Sequence, residues 1–151
     1  MTAAPRNRPE RIRDVLRRLA EDVDLWVATA GPDGRPHLVP LSFHWSDDRI
    51  LISTTVASPT TRNLLRSGAA HLALGHTRDV VWIDAELDLF CEASAIDAEL
   101  GDAFAARAGF DPRPIPRFAF LWLKPRRIRA WREENELEGR DLMRDGAWLR
   151  D

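Results

Sequence analysis

The stretch Leu25–Leu65, LWVATAGPDGRPHLVPLSFHWSDDRILISTTVASPTTRNLL, decides the fold. Three apolar runs, Leu25–Thr29, His37–Trp45 and Ile50–Thr54, are parted by Gly-Pro-Asp-Gly and Ser-Asp-Asp-Arg. Val, Ile, Thr and aromatic residues bounded by Gly, Pro and Asp are strand and hairpin signals. Pro32-Asp33-Gly34 turns the chain by a definite mechanism: Pro presets φ, Asp bonds its own backbone, and Gly supplies a positive φ. These signals predict a three-stranded meander, then a polar loop over residues 53–62, then a short helix over Thr60–Ser67 closed by Gly68. In the second run Val39, Leu41, Phe43 and Trp45 alternate with Ser42 and His44, the pattern of a half-buried strand. Pro40 cannot donate to a ladder, so this strand should lie at an edge or carry a bulge there. A broken ladder leaves backbone groups free for a ligand.

The polar loop is the first chemical signal. Six hydroxyl residues, Ser53, Thr54, Thr55, Ser58, Thr60 and Thr61, precede Arg62 where strand gives way to helix. A helix N-terminus carries unpaired N–H groups and a partial positive charge, and with hydroxyls and an arginine beside it suits a phosphate. The same residues also serve if Ser58 simply caps the helix and Pro59 takes its first position.

Outward from this stretch, residues 1–151 read as a single domain, with 1–8 expected to be disordered and 133–151 a C-terminal tail. A helix begins near Pro9, with Ile12, Val15, Leu16 and Leu19 on one face and Arg11, Arg13, Arg17 and Arg18 forming a solvated face. Ala70–Gly75 is a fourth strand. In the long run Val80–Ile96, Val81, Ile83, Ala85, Leu87, Leu89, Cys91 and Ala93 face one way, and Asp84, Glu86, Asp88 and Glu92 face solvent. A strand this long must bend or bulge, which is how barrels close. Cys91 reads as a small core residue. Asp97–Ala108 is a helix capped by Asp97 and stopped by Gly109. A proline-rich connector, 111–117, leads to Phe118–Leu123, apolar on both faces and so either buried or laid against a partner chain. Lys124-Pro125 interrupts it, and Arg127–Arg132 continues extended. Asp145-Gly146 is a turn signal. The fold class is mainly β (α+β): a six- to seven-stranded antiparallel barrel with a few peripheral helices.

Composition excludes several functions. The net charge of −2 and pI near 6.1 provide no basic field, which argues against nucleic acid. No apolar run is long enough to span a membrane, and the first residues lack the apolar core of a signal peptide. A single cysteine permits no internal disulfide and suits a reducing cytoplasm. His37, His44, His71 and His76 lack ligand spacing, so no metal site is expected. No nucleophile–base motif can be read out, so in an enzyme a bound cofactor would carry the chemistry.

The order of a helix, WVATAGPDGRPHLVPLSF, ILISTTVASPTTRNL and later KPRRIRAWR resembles the pyridoxamine 5'-phosphate oxidase-like split-barrel family, from the first helix to Trp148. That resemblance implies a six-stranded split β-barrel that dimerises and binds FMN, or in actinobacterial branches the deazaflavin coenzyme F-420, in a groove between subunits. It implies that backbone groups of Leu38, Val39, Pro40 and Leu41 meet the flavin ring, and that Ser53, Thr54, Thr55, Ser58 and Thr60 hold the ribityl chain and phosphate. The family's Ser-Arg-Lys triplet aligns with Ser58-Pro59-Thr60, so both cations are lost and Arg62 is the nearest substitute. Trp131 and Arg140 match a Trp and an Arg that touch the flavin, although a Trp so placed is more often an anchor in a core or a dimer interface than a flavin contact. Glu136 and Glu138 stand where the namesake oxidase carries an Arg and a His that grip its substrate, and two carboxylates would repel a phosphorylated pyridoxine. The expectation is a cytoplasmic, homodimeric FMN- or deazaflavin-dependent oxidoreductase acting on another small molecule. The alternative is a non-catalytic cofactor-binding or cofactor-free split-barrel dimer.

Overall fold

Among the described residues, eight antiparallel strands run as β1 (Asp24–Ala30), β2 (Pro36–Ser46), β3 (Arg49–Thr55), β4 (Ala69–Leu74), β5 (Val80–Glu92), β6 (Phe118–Trp131), β7 (Asp141–Arg144) and β8 (Ala147–Trp148). They lie in the order β3-β2-β1-β4-β5-β6-β7-β8, and β3 also pairs with β6, so six strands close a barrel and two extend from it. Three α-helices among the described residues surround it: α1 (Arg8–Glu21), α2 (Pro59–Ser67) and α3 (Ala98–Ala108). The computed structural model describes residues 2–150; Met1 and Asp151 lie outside the described residues.

Local chemistry sets most boundaries. Asn7 accepts from the Glu10 N–H while Glu10 accepts from the Asn7 N–H, a capping box that starts α1. Ser58 caps α2, Pro59 opens it and Gly68 ends it at φ 71°. Asp97 caps α3 and Gly109 ends it at φ 78°. The β2–β3 hairpin turns on Asp47-Asp48, both at positive φ (55° and 57°), where side chains without a glycine's freedom are strained.

The barrel interior is filled by Val27, Phe43, Ile50, Ile52, Ile83, Leu121 and Leu123, closed by Val15 and Leu19 of α1 and Leu64 of α2. A second cluster lies on the outer face of β3 and β6, where Leu51, Phe120 and Trp122 pack under Ile96 and Phe104. Of the two alternatives for Phe118–Leu123, the structure shows the buried one: the strand is covered on both faces by this chain itself. Ala119, Leu121 and Leu123 face the barrel, and α3 roofs Phe120 and Trp122.

Three further expectations are corrected. The alternation expected through Ala93 breaks at a register shift between Leu87 and Leu89. One extra residue exchanges the faces: Leu89 is 50% exposed, Phe90 packs on the barrel core and Cys91 joins the second cluster. Arg11 and Arg18 are buried rather than solvated, because distant carbonyls satisfy them: Glu136 O accepts from Arg11 Nη1 (2.9 Å), and Gly75 O and Asp79 O accept from Arg18 (2.6 and 2.7 Å). The tail contributes a hairpin, β7–β8, turning on Asp145-Gly146, both at positive φ. The N-terminal segment expected to be disordered is ordered across its described residues: Arg6 bonds Glu136 and Asp14, and Ala3 O accepts from Asn135.

Candidate functional site

The barrel is split between β2 and β3. The first part of β2, Pro36–Ser42, pairs only with β1, and only Phe43–Ser46 pairs with β3. Phe43 N–H bonds Val23 O toward β1 (2.9 Å), so by alternation Leu41 and Val39 also turn their backbone groups to β1. Leu38, Pro40 and Ser42 turn theirs to the open side. Pro40 thus sits where its missing N–H breaks no ladder bond, as its chemistry requires. Side chains alternate the other way: Val39 and Leu41 pack on the core, and Leu38 stands 60% exposed.

The opposite lip is the end of β3 and the start of α2. α2 is tied to β1 by Asn63 Nδ2 donating to Thr29 Oγ1 (3.1 Å) and Arg66 donating to Ala30 O (2.6 Å). The six hydroxyls do not behave alike. Ser53 is buried and donates to Ala119 O (2.8 Å). Ser58 Oγ accepts from the Thr61 N–H (3.1 Å), and Thr61 Oγ1 donates to Thr55 O (2.7 Å). Ser58 and Thr61 build the turn and Ser53 ties β3 to β6, so all three hydroxyls already have partners within the chain. Thr54 and Thr55 are half-buried and make no side-chain hydrogen bond among the described residues, while Thr60 is buried at the head of α2. Arg62 is exposed and its guanidinium pairs with no described residue. An anion at this lip would meet the Thr60 N–H at the head of α2, Thr55 and an arginine with no partner among the described residues; Pro59 has no N–H, and the Thr61 and Arg62 N–H groups are bonded to Ser58.

Trp131 and Arg140 lie elsewhere. Thr55 pairs with Phe118 at one end of β6, and Trp131 is at the other end of that 14-residue strand, roughly 40 Å along it. Arg140 stacks on Trp131, its Cζ 5.4 Å from the ring centroid. One chain therefore brings Leu38–Leu41 and the hydroxyl loop together but does not add Trp131 and Arg140 to them.

Glu136 is not a substrate-facing carboxylate. It is 3% exposed, and Arg6 grips both its oxygens (Nε–Oε1 3.0 Å, Nη2–Oε2 2.8 Å). The Arg6 and Arg132 backbone N–H groups donate to it as well (2.9 and 2.8 Å). The hydrogen bonds from Arg6 hold its pKa down at about 2 against the pull of burial. Its charge is spent within the protein, so replacing it by Arg would crowd a second cation against Arg6 rather than open a substrate site. Glu138 remains exposed, with only its backbone carbonyl engaged, by Arg11 (3.4 Å).

Sequence reasoning missed Arg117. Its carbonyl accepts from the Val56 N–H (2.7 Å), which ties the proline-rich connector to the hydroxyl loop. It lines a groove of about 530 Å³ with Val56, Ala57, Ile115 and Phe118. Nothing in the spacing announces a contact across sixty residues of chain. Of the histidines, His37, His44 and His71 lie in strands, and His76 lies in the turn after β4 at φ 70°.

The family model for pyridoxamine 5'-phosphate oxidase matches residues 10–132, and the chain belongs to that family. No curated protein matches. Among solved structures, one described as an F420 reductase superposes with a TM-score of 0.62 at 14% identity, covering 73% of this chain and 91% of that one. A pyridoxamine 5'-phosphate oxidase-related, FMN binding protein from Nostoc punctiforme matches at 0.52 and 17% identity, covering 82% and 78%. General Stress Protein 26 from Bacillus anthracis matches at 0.61 and 18% identity, covering 80% and 91%. At such identities the likeness establishes the split-barrel fold. No helix among the described residues is long and apolar enough to cross a membrane.

Proposed function

We propose that this chain is a homodimeric, cytoplasmic oxidoreductase that holds FMN or the deazaflavin coenzyme F-420 and acts on a small molecule other than pyridoxine phosphate. The observation that carries this reading is the split between β2 and β3. One lip is an open backbone edge, and the other is a helix N-terminus with the unpaired Arg62. These residues fit the cofactor class. Leu38–Leu41 would lie along the ring, and Thr54, Thr55, the Thr60 N–H at the head of α2 and Arg62 would hold the ribityl chain and phosphate. Such a cofactor supplies hydride transfer; the chain's own part is to grip, orient and exclude water. Glu138, two residues before Arg140, now carries the exclusion of pyridoxine phosphate without Glu136.

A second copy would offer what one chain lacks, a Trp131 and an Arg140 to set beside the split. With α3 covering β6, an apolar surface open to a partner is on β1 and β2, where Trp26 is 45% exposed opposite Pro40 and Leu38 lies opposite Ala28. Light scattering at low micromolar concentration is expected to return twice the 17.2 kDa chain mass. A stable monomer would remove the two-subunit site.

The cofactor test is the visible spectrum of the protein titrated with FMN and with the deazaflavin coenzyme in turn. One of them is expected to saturate. Arg62→Ala should then weaken its binding about tenfold to a hundredfold, the scale of a hydrogen bond to a charged group. Unfolding stability should be unchanged, because an exposed arginine without a partner contributes little. Unaltered affinity in Arg62→Ala would put the phosphate elsewhere. A cofactor-free dimer is favoured by one observation, that Ser53, Ser58 and Thr61 are already committed within the protein. Failure of both titrations would select it.

A further inference from the structure

The groove of about 530 Å³ beside the hydroxyl loop opens at Val56 and Ala57. These two residues stand between Thr55 and the cap Ser58, so the groove begins where the candidate phosphate lip ends. From there its lining runs along the proline-rich connector, with Ile115, Pro116 and Arg117, to Phe118.

Three charged side chains besides Arg117 or paired with it in the lining need an account. Arg113 is already spent, held by Asp111 (2.9 Å) and Asp102 (2.7 Å). Glu92, at the end of β5, is the one carboxylate on the lining. Because β6 lies between β5 and β3, Glu92 stands on the side away from the hydroxyl loop. Arg117 is exposed, and its guanidinium makes no hydrogen bond or ion pair with a described residue. Its backbone sits at φ 67°, a conformation arginine rarely adopts, and the Val56 N–H bond to its carbonyl (2.7 Å) ties it to the loop there. The lip itself carries one uncommitted cation, Arg62, and the Thr60 N–H.

The two candidate cofactors differ at this end. FMN stops at a phosphate monoester, which carries about −1.5 to −2 charges near pH 7. The deazaflavin coenzyme has a phosphodiester, which carries a single charge, and it continues into a γ-linked glutamate chain bearing carboxylates. One arginine at the lip matches the diester, and a second arginine in a groove just beyond it matches the anionic chain. FMN would bring more charge to the lip and leave the groove and Arg117 unused. We propose that the cofactor is the deazaflavin coenzyme, with its phosphodiester at Arg62 and its glutamate tail in this groove at Arg117. This assignment rests on the cofactor reading above and chooses within it.

The test is calorimetric titration of the full chain with three ligands that share the deazaflavin ring: the nucleoside without phosphate, its phosphate monoester, and the whole coenzyme. FMN is the fourth ligand. The whole coenzyme is expected to bind about tenfold or more tighter than the monoester or FMN, the scale of one charge-assisted contact. Arg117→Ala should weaken the whole coenzyme about tenfold and leave the nucleoside, the monoester and FMN within twofold. Its thermal midpoint checks that it folds. Arg117→Lys, which keeps the charge, should recover most of the loss. Arg62→Ala should weaken the monoester and the whole coenzyme alike. FMN or the monoester binding as tightly as the whole coenzyme would overturn the assignment while the wider flavin-class reading stands. A folded Arg117→Ala that binds the whole coenzyme like wild type would take the tail out of this groove and overturn it too. Failure of all four ligands to bind would sink the cofactor reading itself, and this choice with it.

Discussion

Glu136→Ala is expected to destabilise the protein by about 3–5 kcal/mol, the range for removing one partner of a buried ion pair. The carboxylate is buried and receives four hydrogen bonds, two from the Arg6 guanidinium and one each from the Arg6 and Arg132 backbone N–H groups. Its removal leaves a guanidinium that is itself largely buried, with Asp14 (2.8 Å) and the more distant Asp79 (3.9 Å) as its remaining partners. It also strands two backbone donors. The same pair predicts a pH dependence. Folding lowers the Glu136 pKa from 4.5 to about 2, so the unfolded chain binds the extra proton. The contribution is full above pH 4.5 and is lost as pH falls from there toward 2, at up to about 1.4 kcal/mol per pH unit. Urea unfolding of wild type and Glu136→Ala at pH 7 and pH 3 measures both effects. The gap between the two proteins should narrow at pH 3. A variant as stable as wild type at pH 7 would return Glu136 to the role of a free, substrate-facing charge.

The Arg6–Glu136 bond also shows where sequence reading stops. What a few consecutive residues determine is legible: Ser58-Pro59 and Gly68 bound α2, Asp97 and Gly109 bound α3, and Pro40 marks the open edge of β2. Each rests on a backbone preference that needs no knowledge of the rest of the chain. Arg6 and Glu136 are 130 positions apart, and nothing in either neighbourhood pairs them. Arg11 and Arg18 look like surface residues because their acceptors are carbonyls of remote turns. In β5 the alternating pattern is real up to Leu87, but one bulged residue reverses it, and a bulge has no composition of its own. The candidate site divides along the same line. The loop, the helix start and Arg62 are contiguous, so their shared lip could be read. Ser53 and Ser58 carry the right chemistry, yet their hydroxyls face inward, which is a matter of side-chain direction rather than spacing.

Phe104→Ala is expected to cost about 3–5 kcal/mol, the range for truncating a fully buried phenylalanine. In β6 the run Phe118–Leu123 is apolar at every position. A strand has two faces, and the barrel takes only Ala119, Leu121 and Leu123. Phe120 and Trp122 need a second cover. α3 supplies it through Phe104, which is wholly buried and meets Phe120 edge-on at 5.1 Å and Phe110 at 6.1 Å between ring centres. Its removal leaves a cavity between two well-formed elements, and the flanking caps Asp97 and Gly109 limit how far α3 can sink to fill it. Denaturant unfolding should show the full loss. Light scattering under native conditions should show the same mass as wild type, because a cover made within one chain owes nothing to a partner. A cost below about 1 kcal/mol, together with a change in mass, would mean that Phe120 and Trp122 are held by a neighbouring molecule instead. The surface for a second copy would then revert from Trp26 and Leu38 to β6, and the site assembled from the split and from Trp131 would lose its geometry.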